Sequence, residues 1–281
     1  MFSIKEVTDY YDQTQPHYER WWNLRGGLSL HYGIWKKGTT HFLEALENTN
    51  TIMATAANIN AGDHVFDAGC GVGGAAFYLA REKKAMVKGV SLSTKQLALA
   101  NNKRNEFHLE AFIDFSNQDY AKTSFGDHSF DVVWACESMN HATDRHLFLQ
   151  EVFRVLKPGG RLVLADFFLE DESAGNNDPF IQKWRDCWAM AKLPSAIGFE
   201  QELKEHDFGS IKIQDYTEQI MPTARRMYWA YLLGAIPSKA YNSIFNASRF
   251  SRGHYKSGYY QYKSLRKGLW GYLIINAVKK G

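Results

Sequence analysis

Cysteine is scarce: the three present, Cys70, Cys136 and Cys187, are widely spaced and odd in number. That excludes a disulfide framework and suits a reducing compartment. No CxxC pair or Cys/His cluster offers the ligand spacing of a zinc site. Long apolar runs are missing too, since none approaches the roughly 18 residues of a membrane span, and the first thirty residues lack the apolar stretch of a signal peptide. The expectation is a soluble cytoplasmic protein without metal. Low-complexity tracts and internal repeats are also absent. The last deficit is of one charge sign. From Gln219 onward there is no Asp or Glu against 11 Lys or Arg, whereas the first 218 residues carry a net −8. What remains is a 281-residue chain, 45% apolar and 15% aromatic, enough for one domain with a sizeable core and an insertion.

Residues 1 to about 40 are dense in aromatics (Tyr10, Tyr11, Tyr18, Trp21, Trp22, Tyr32, Trp35) and suggest one or two short helices and a loop. Phe42 to Ile59 has helical spacing and ends at Asn60-Ala61-Gly62. Strands are predicted at His64–Asp67, Met86–Val90, Ala111–Phe115, Phe130–Trp134 and Arg161–Phe168, alternating with helices at Ala75–Arg81, Thr94–Asn105 and Arg145–Leu156. Lys157-Pro158-Gly159-Gly160 reads as a hard turn. Such alternation implies βαβ units and a mostly parallel, doubly wound sheet. After Phe168 helices are predicted over Asp178–Leu193, Phe199–His206 and Pro222 to about Ser251, with strands at Ile211–Tyr216 and Trp270–Lys279. The whole is an α/β, Rossmann-like, seven-stranded sheet with helices on both faces. An N-terminal lid spans 1–60, the main domain 61–281, and cap insertions fall at about 169–209 and 217–268.

The central motif is Asp67-Ala68-Gly69-Cys70-Gly71-Val72-Gly73-Gly74, after a strand and opening a helix. Glycines 69, 71 and 74 match the dinucleotide fingerprint G-x-G-x-x-G, a weak signal alone. A nicotinamide dinucleotide would be gripped by an acid about 20 positions further on. Here the second strand ends Gly89-Val90-Ser91-Leu92-Ser93, and the acid stands before the glycines, at Asp67. A carboxylate there opposes a pyrophosphate but suits a ligand with a cationic end. S-adenosylmethionine, with an ammonium, a sulfonium and no phosphate, is such a ligand.

Over about Asp63 to Phe168 the chain resembles the class I S-adenosylmethionine-dependent methyltransferases. Asp67, Gly69, Gly71 and Gly73 match their first motif. Asp119, in Ser116-Asn117-Gln118-Asp119-Tyr120, matches the acid near the adenine amine. Phe130 to Ser138 matches the fourth strand and its loop, and Lys157-Pro158-Gly159-Gly160 the turn before the fifth. Within the family, the glycine loop, Ser91-Leu92-Ser93 with Gln96, and Glu137-Ser138 resemble the sterol and tocopherol C-methyltransferases and related natural-product O-methyltransferases. Their aromatic N-terminal pattern is similar to Tyr11-Asp12, Tyr18, Trp22 and His31-Tyr32-Gly33-Ile34-Trp35. The resemblance implies that this segment closes over the cofactor, with Tyr11, Trp35, Ser91, Leu92, Gln96, Tyr120 and Cys136 joining Asp67 and the glycines around it. S-adenosyl-L-homocysteine is the implied product.

What the protein must add depends on the acceptor. A hydroxyl has to lose a proton, which favours a positioned His or carboxylate; a carbon acceptor develops a cation, which aromatic faces and a carboxylate stabilise. Glu137, His141 and Asp166 are the catalytic candidates. Sugar O-methyltransferases of this kind have paired histidines matching Asn140 and His141 and an aspartate matching Asp166, so Asn140 departs from their pattern. Tyr18, Trp22, His31, Asn140, Trp184, Trp188 and Trp229 are the candidate acceptor contacts, against the plainer reading of aromatics at helical spacing as core. The basic C-terminal quarter has three readings: contact with an anionic membrane, an anion site for a phosphorylated acceptor through Arg225, Arg226, Arg249, Arg252 or Lys256, or a solvated face. No nucleic-acid module and no Asn/Asp-Pro-Pro-Tyr motif after the fourth strand is present, which argues against a nucleic-acid acceptor. The expected function is methyl transfer to a small lipophilic acceptor, preferably at carbon on an isoprenoid, sterol-like or prenyl-phenol scaffold. The alternatives are O-methylation of a polyketide, sugar or phenol, and a regulator that binds the cofactor without turnover.

Overall fold

The computed structural model describes residues 2–21, 24–244 and 249–281, without the side chains of 16–25, 237, 239–249 and 251. The elements in chain order are α1 (Ile4–Trp21), α2 (Leu24–Gly27), α3 (Phe42–Ala56), β1 (His64–Ala68), α4 (Gly74–Glu82), β2 (Met86–Ser91), α5 (Thr94–Glu106), β3 (Ile113–Asn117) and β4 (Phe130–Cys136). A 3₁₀ turn (Met139–His141), α6 (Arg145–Val155), β5 (Leu156–Leu169), α7 (Glu172–Asn177), α8 (Pro179–Trp188), α9 (Ala196–Glu205) and β6 (Phe208–Asp215) follow. Then come α10 (Met221–Ile244), α11 (Arg249–His254), α12 (Ser257–Arg266) and β7 (Trp270–Lys279).

Strand side chains alternate between faces, and here both faces are apolar. In β4, Val132 and Trp134 enter one core while Val133 and Ala135 enter the other; in β7, Tyr272 and Ile274 separate in the same way from Leu273 and Ile275. A sheet buried on both sides requires helices on both sides. Its order is β3-β2-β1-β4-β5-β7-β6, with the first five strands parallel and β7 antiparallel to both neighbours. Between β1 and β4 the chain reverses its direction of winding, which opens a crevice at their C-terminal ends. Side-chain caps fix where the flanking helices start: Ser93 for α5, Asp144 for α6 and Asp178, before Pro179, for α8.

The seven-stranded α/β sheet is as expected, and several boundaries differ. The N-terminal region holds two helices and a loop, as expected, but the first, α1, is 18 residues long rather than short. The helix expected to run to Leu193 stops at Trp188, where Ala189 takes φ 52° and its amide caps back to Arg185. The third strand lies at 113–117 rather than 111–115. The Lys157–Gly160 turn is absorbed into β5 as a register break opposite β4, with Gly159 at φ 74°.

Residues 28–35 form a strap across the C-terminal edge of the sheet. It is tied to α3 through Ile34 N–H on the Ala45 carbonyl and Thr49 Oγ1, and to the start of α10 through Trp35 N–H on Gln219 O. Beneath it lies an aromatic cluster centred on Phe167, whose ring meets those of Tyr32, Trp184, Trp188, Trp270 and Tyr272 at 5.0–5.9 Å between centroids. Phe167 is 1% exposed. Phe167→Ala should therefore lower stability by about 3–5 kcal/mol in urea unfolding, and Phe167→Leu by markedly less. A loss below ~1 kcal/mol for the alanine variant would contradict a cavity-sensitive centre at this position.

Candidate active site

The glycine loop leaves β1 with the amides of Gly69 and Cys70 both on the Val90 carbonyl. Gly69 sits at φ 98°, and a Cβ there would stand 2.6 Å from Ser138 Cβ, so the loop after β4 passes directly over it. At the head of α4, a Cβ on Gly74 would meet the Leu28 carbonyl oxygen at 2.0 Å, which places the strap against the helix start. These approaches enclose about 920 Å³ between loop, strap and sheet edge, counting the open mouth.

Asp67, the penultimate residue of β1, lines this cavity, 2% exposed, and its Oδ2 has no hydrogen-bond partner. Burial raises its pKa from the usual carboxylate range to about 7. An unpartnered buried carboxylate is costly unless a cationic group completes it. Nearby, Gln96 Oε1 accepts from Ser91 Oγ at 3.1 Å, and Ser93 Oγ donates to Asp12 Oδ1 on α1. Helix α1 is thereby fastened over the loop after β2 and contributes Val7 and Tyr11 to the wall.

Glu137, the first residue after β4, takes the left-handed conformation at φ 51°. Such a backbone costs a non-glycine residue on the order of 1 kcal/mol or more, so the surroundings have to hold it. Its amide bonds the Ala165 carbonyl at 2.8 Å, and its Oε1 accepts from the Tyr32 amide and, at 2.8 Å, from the Tyr272 hydroxyl. Desolvation pushes the Glu137 carboxyl well above its ordinary value, against the opposing effect of those two bonds.

His141 lies in the same wall under α1, with its ring 6.0 Å from Tyr10, nearly parallel, and 5.4 Å from Tyr11. Burial lowers its pKa to about 4, and a hydrogen bond to the Ala189 backbone opposes that shift only in part. The ring is neutral at pH 7, and its Nδ1 has no partner. Asp166 makes no bond to His141. It is fully buried and bound to the Asn140 amide at 3.2 Å, Asn140 Nδ2 at 2.7 Å and the Phe167 amide at 2.9 Å. A His–Asp pair is therefore replaced by an Asn–Asp clamp that shapes the turn carrying His141, while burial raises the Asp166 pKa to about 7.

Of the residues expected around the cofactor, Asp67, Gly69, Gly71, Ser91, Leu92, Gln96, Tyr120, Cys136 and Tyr11 line this cavity. Gly73, Asp119 and Trp35 stand behind the wall: Gly73 backs onto Phe77 and Phe115, Asp119 Oδ1 accepts from the Ala121 amide, and Trp35 Nε1 donates to Thr223. Glu137 and His141 line the cavity and Asp166 does not. Among the acceptor candidates His31 and Trp188 line it, whereas Asn140 is taken by Asp166 and Trp184 is core, 0% exposed. Trp229 needs the largest correction, being 59% exposed on α10. Trp22 and the side chain of Tyr18 lie outside the described residues, as does the side chain of Arg249. No Lys or Arg stands in the wall among the described residues, so Arg225, Arg226, Arg252 and Lys256 form no anion site there. Sequence reasoning missed the strap residues Leu28, Ser29 and Leu30, which line the cavity. Their only signal is their place between Gly26-Gly27 and His31, and it says nothing of what they cover.

A family model described as a methyltransferase domain matches residues 66–164. The chain is 31% identical over 223 residues to methyltransferase GfsG of Streptomyces halstedii, covering 78% of each chain. It is 35% identical over 170 residues to 27-O-demethylrifamycin SV methyltransferase of Amycolatopsis mediterranei, covering 60% of this chain and 61% of that protein. Among solved structures it is similar in fold to the [4+2]-cyclase SpnF, with TM-score 0.81 and 23% identity over 99% of this chain and 96% of that one.

Asp67 gives the ligand-free protein a pH signature. Because its folded pKa is raised to about 7, the neutral form is the stabilising one, and its contribution is complete below about pH 4 and lost as pH rises through about 7. Asp67→Asn, which cannot ionise, should gain stability relative to the parent across that window, by on the order of a few kcal/mol at its upper end. Urea unfolding at a series of pH values measures this, and parallel curves for the two proteins would contradict it.

Proposed function

The chain belongs to the class I S-adenosylmethionine-dependent methyltransferases, and from that premise we propose that it methylates a hydroxyl of a small lipophilic acceptor, with His141 taking the proton. The observation that carries this reading is the unpartnered Nδ1 of a neutral His141 in the cavity wall. Around it stand Val7, Tyr11, Leu30, Leu92 and Trp188, a wall suited to an apolar scaffold.

The residues fit the cofactor by the chemistry of their donor set: an orphaned buried carboxylate at Asp67 for a cationic amino-acid end, and Tyr11, Leu92 and Gln96 beside it for a nucleoside. When bound, S-adenosylmethionine supplies a methyl group already activated on sulfonium. The protein's own work is then to align the acceptor, exclude water and manage one proton. Helix α1, held through Asp12 to Ser93, excludes water from above. His141 Nδ1, which has no partner in the wall, receives the hydroxyl proton. Glu137 fixes the strap and presents its unengaged oxygen to the cavity.

A specific observation also favours transfer to carbon. Glu137, whose carboxyl lines the cavity beside the Tyr11 and Trp188 side chains of the same wall, would stabilise a cation developing on an alkene or electron-rich ring.

Incubation with isotopically labelled S-adenosylmethionine and a lipid extract, with mass spectrometry of the product, tests the reading. His141→Ala should reduce kcat by at least ~10²-fold with cofactor affinity unchanged. Full activity in His141→Ala with collapse in Glu137→Gln would transfer the assignment to carbon. Cofactor binding with no labelled product would leave a regulator without turnover.

A further inference from the structure

Helix α10 has two unlike faces. Inward, Met227 packs on the cluster of Phe42, Leu46 and Val72, and Tyr228 stacks on Tyr262 of α12 at 4.7 Å. Outward, Trp229, Leu232, Leu233 and Ile236 are 59%, 43%, 71% and 80% exposed. Their spacing of three, four and seven residues puts all four on a single stripe. One turn earlier on the same stripe stand Arg225 and Arg226, both exposed, with the Arg226 guanidinium over the Phe42 ring at 4.8 Å. A soluble helix turns its apolar stripe to the core; this one shows a large apolar patch headed by cations.

We propose that this stripe is a docking face for an anionic lipid surface, entered by Trp229, Leu232, Leu233 and Ile236 and flanked by Arg225 and Arg226. Charge decides between the available occupants. The chain from Gln219 onward holds 11 basic and no acidic residues, so a second copy placed stripe to stripe would face its own charge. An anionic membrane complements both halves of the face, taking the apolar side chains at the level of the acyl chains and the arginines at the head groups. Tryptophan at such a border fits this depth. Hydrogen bonds also connect the stripe's helix to the cavity wall. The start of α10 is bound to the strap by Trp35 N–H on Gln219 O and by Thr223 Oγ1, which donates to Gly33 O at 2.9 Å and accepts from Trp35 Nε1 at 3.0 Å. The strap continues into the wall residues Leu28 to His31. Docking therefore sets the cavity beside the phase in which a lipophilic acceptor dissolves. The proposal rests on the lipophilic-acceptor reading for its purpose, while its test needs no turnover.

Flotation of the full chain with vesicles of phosphatidylcholine and phosphatidylserine, about three to one, should carry the protein upward, and added salt should weaken the association. Vesicles of phosphatidylcholine alone should carry far less. Combined Trp229→Ser, Leu233→Ser and Ile236→Ser, and separately Arg225→Glu, should each reduce partitioning by about tenfold or more. These positions are solvent-exposed, so both variants should fold and bind S-adenosylhomocysteine as the parent does; calorimetry in parallel keeps failure of docking distinct from failure of the methyltransfer reading. A parent that stays at the bottom of the gradient, or variants that float equally well, would overturn the proposal. So would a concentration-dependent dimer in light scattering that the triple variant abolishes, since the stripe would then serve self-association.

Discussion

The bond between the Tyr32 amide and the Glu137 carboxylate is the interaction on which the site depends. It joins a strap outside the sheet to the end of a central strand, and the Tyr272 hydroxyl on the same oxygen adds β7. A left-handed glutamate persists only where its surroundings outweigh the backbone cost, and these bonds supply that constraint. Because β7 also pairs with β5 along its length, the carboxylate reports the register of the sheet's antiparallel half to the cavity. Without the strap, the wall formed by Leu28 to His31 would have no fixed position over the glycine loop.

Much of the fold was legible because it rests on local rules. Gly69 to Gly74 after a short strand, the turn residues Asn60-Ala61-Gly62, and the alternation of apolar strands with helices each specify their own conformation within a few residues. Asp67 was legible for a similar reason, since a carboxylate at that strand end has only one crevice to face. The misreadings share the opposite cause. Trp184 and Trp229 are both tryptophans on helices, and nothing local says that one is sealed under Phe167 and the other left in solvent. Asp166 matches a catalytic position by spacing, but the change of its neighbour to Asn140 gave it a different partner, visible only when β4 and β5 are set side by side. The strap was hidden because it is set by tertiary hydrogen bonds to α3 and to the segment before α10.

Electrostatics in the cavity follow from dryness more than from pairing. Asp67, Glu137 and Asp166 are all raised by burial, and His31 and His141 are lowered by it, to about 4 each. Every one of these groups is driven toward its neutral form. A site of this kind holds little fixed charge until a ligand brings its own, and the first cation to enter meets acceptors that water does not screen. That suits a donor carrying positive charge and an acceptor carrying none.

The contact of Leu28 with the start of α4 has a mechanical meaning. Whatever lies against the glycine loop is roofed by residues 28–31, and those residues are on the same strap as Tyr32 and are backed by Gly33 on Ala45. The roof of the cavity and the carboxylate in its wall are therefore one linked unit: a displacement of residues 28–31 bears on Tyr32 and, through its amide, on Glu137.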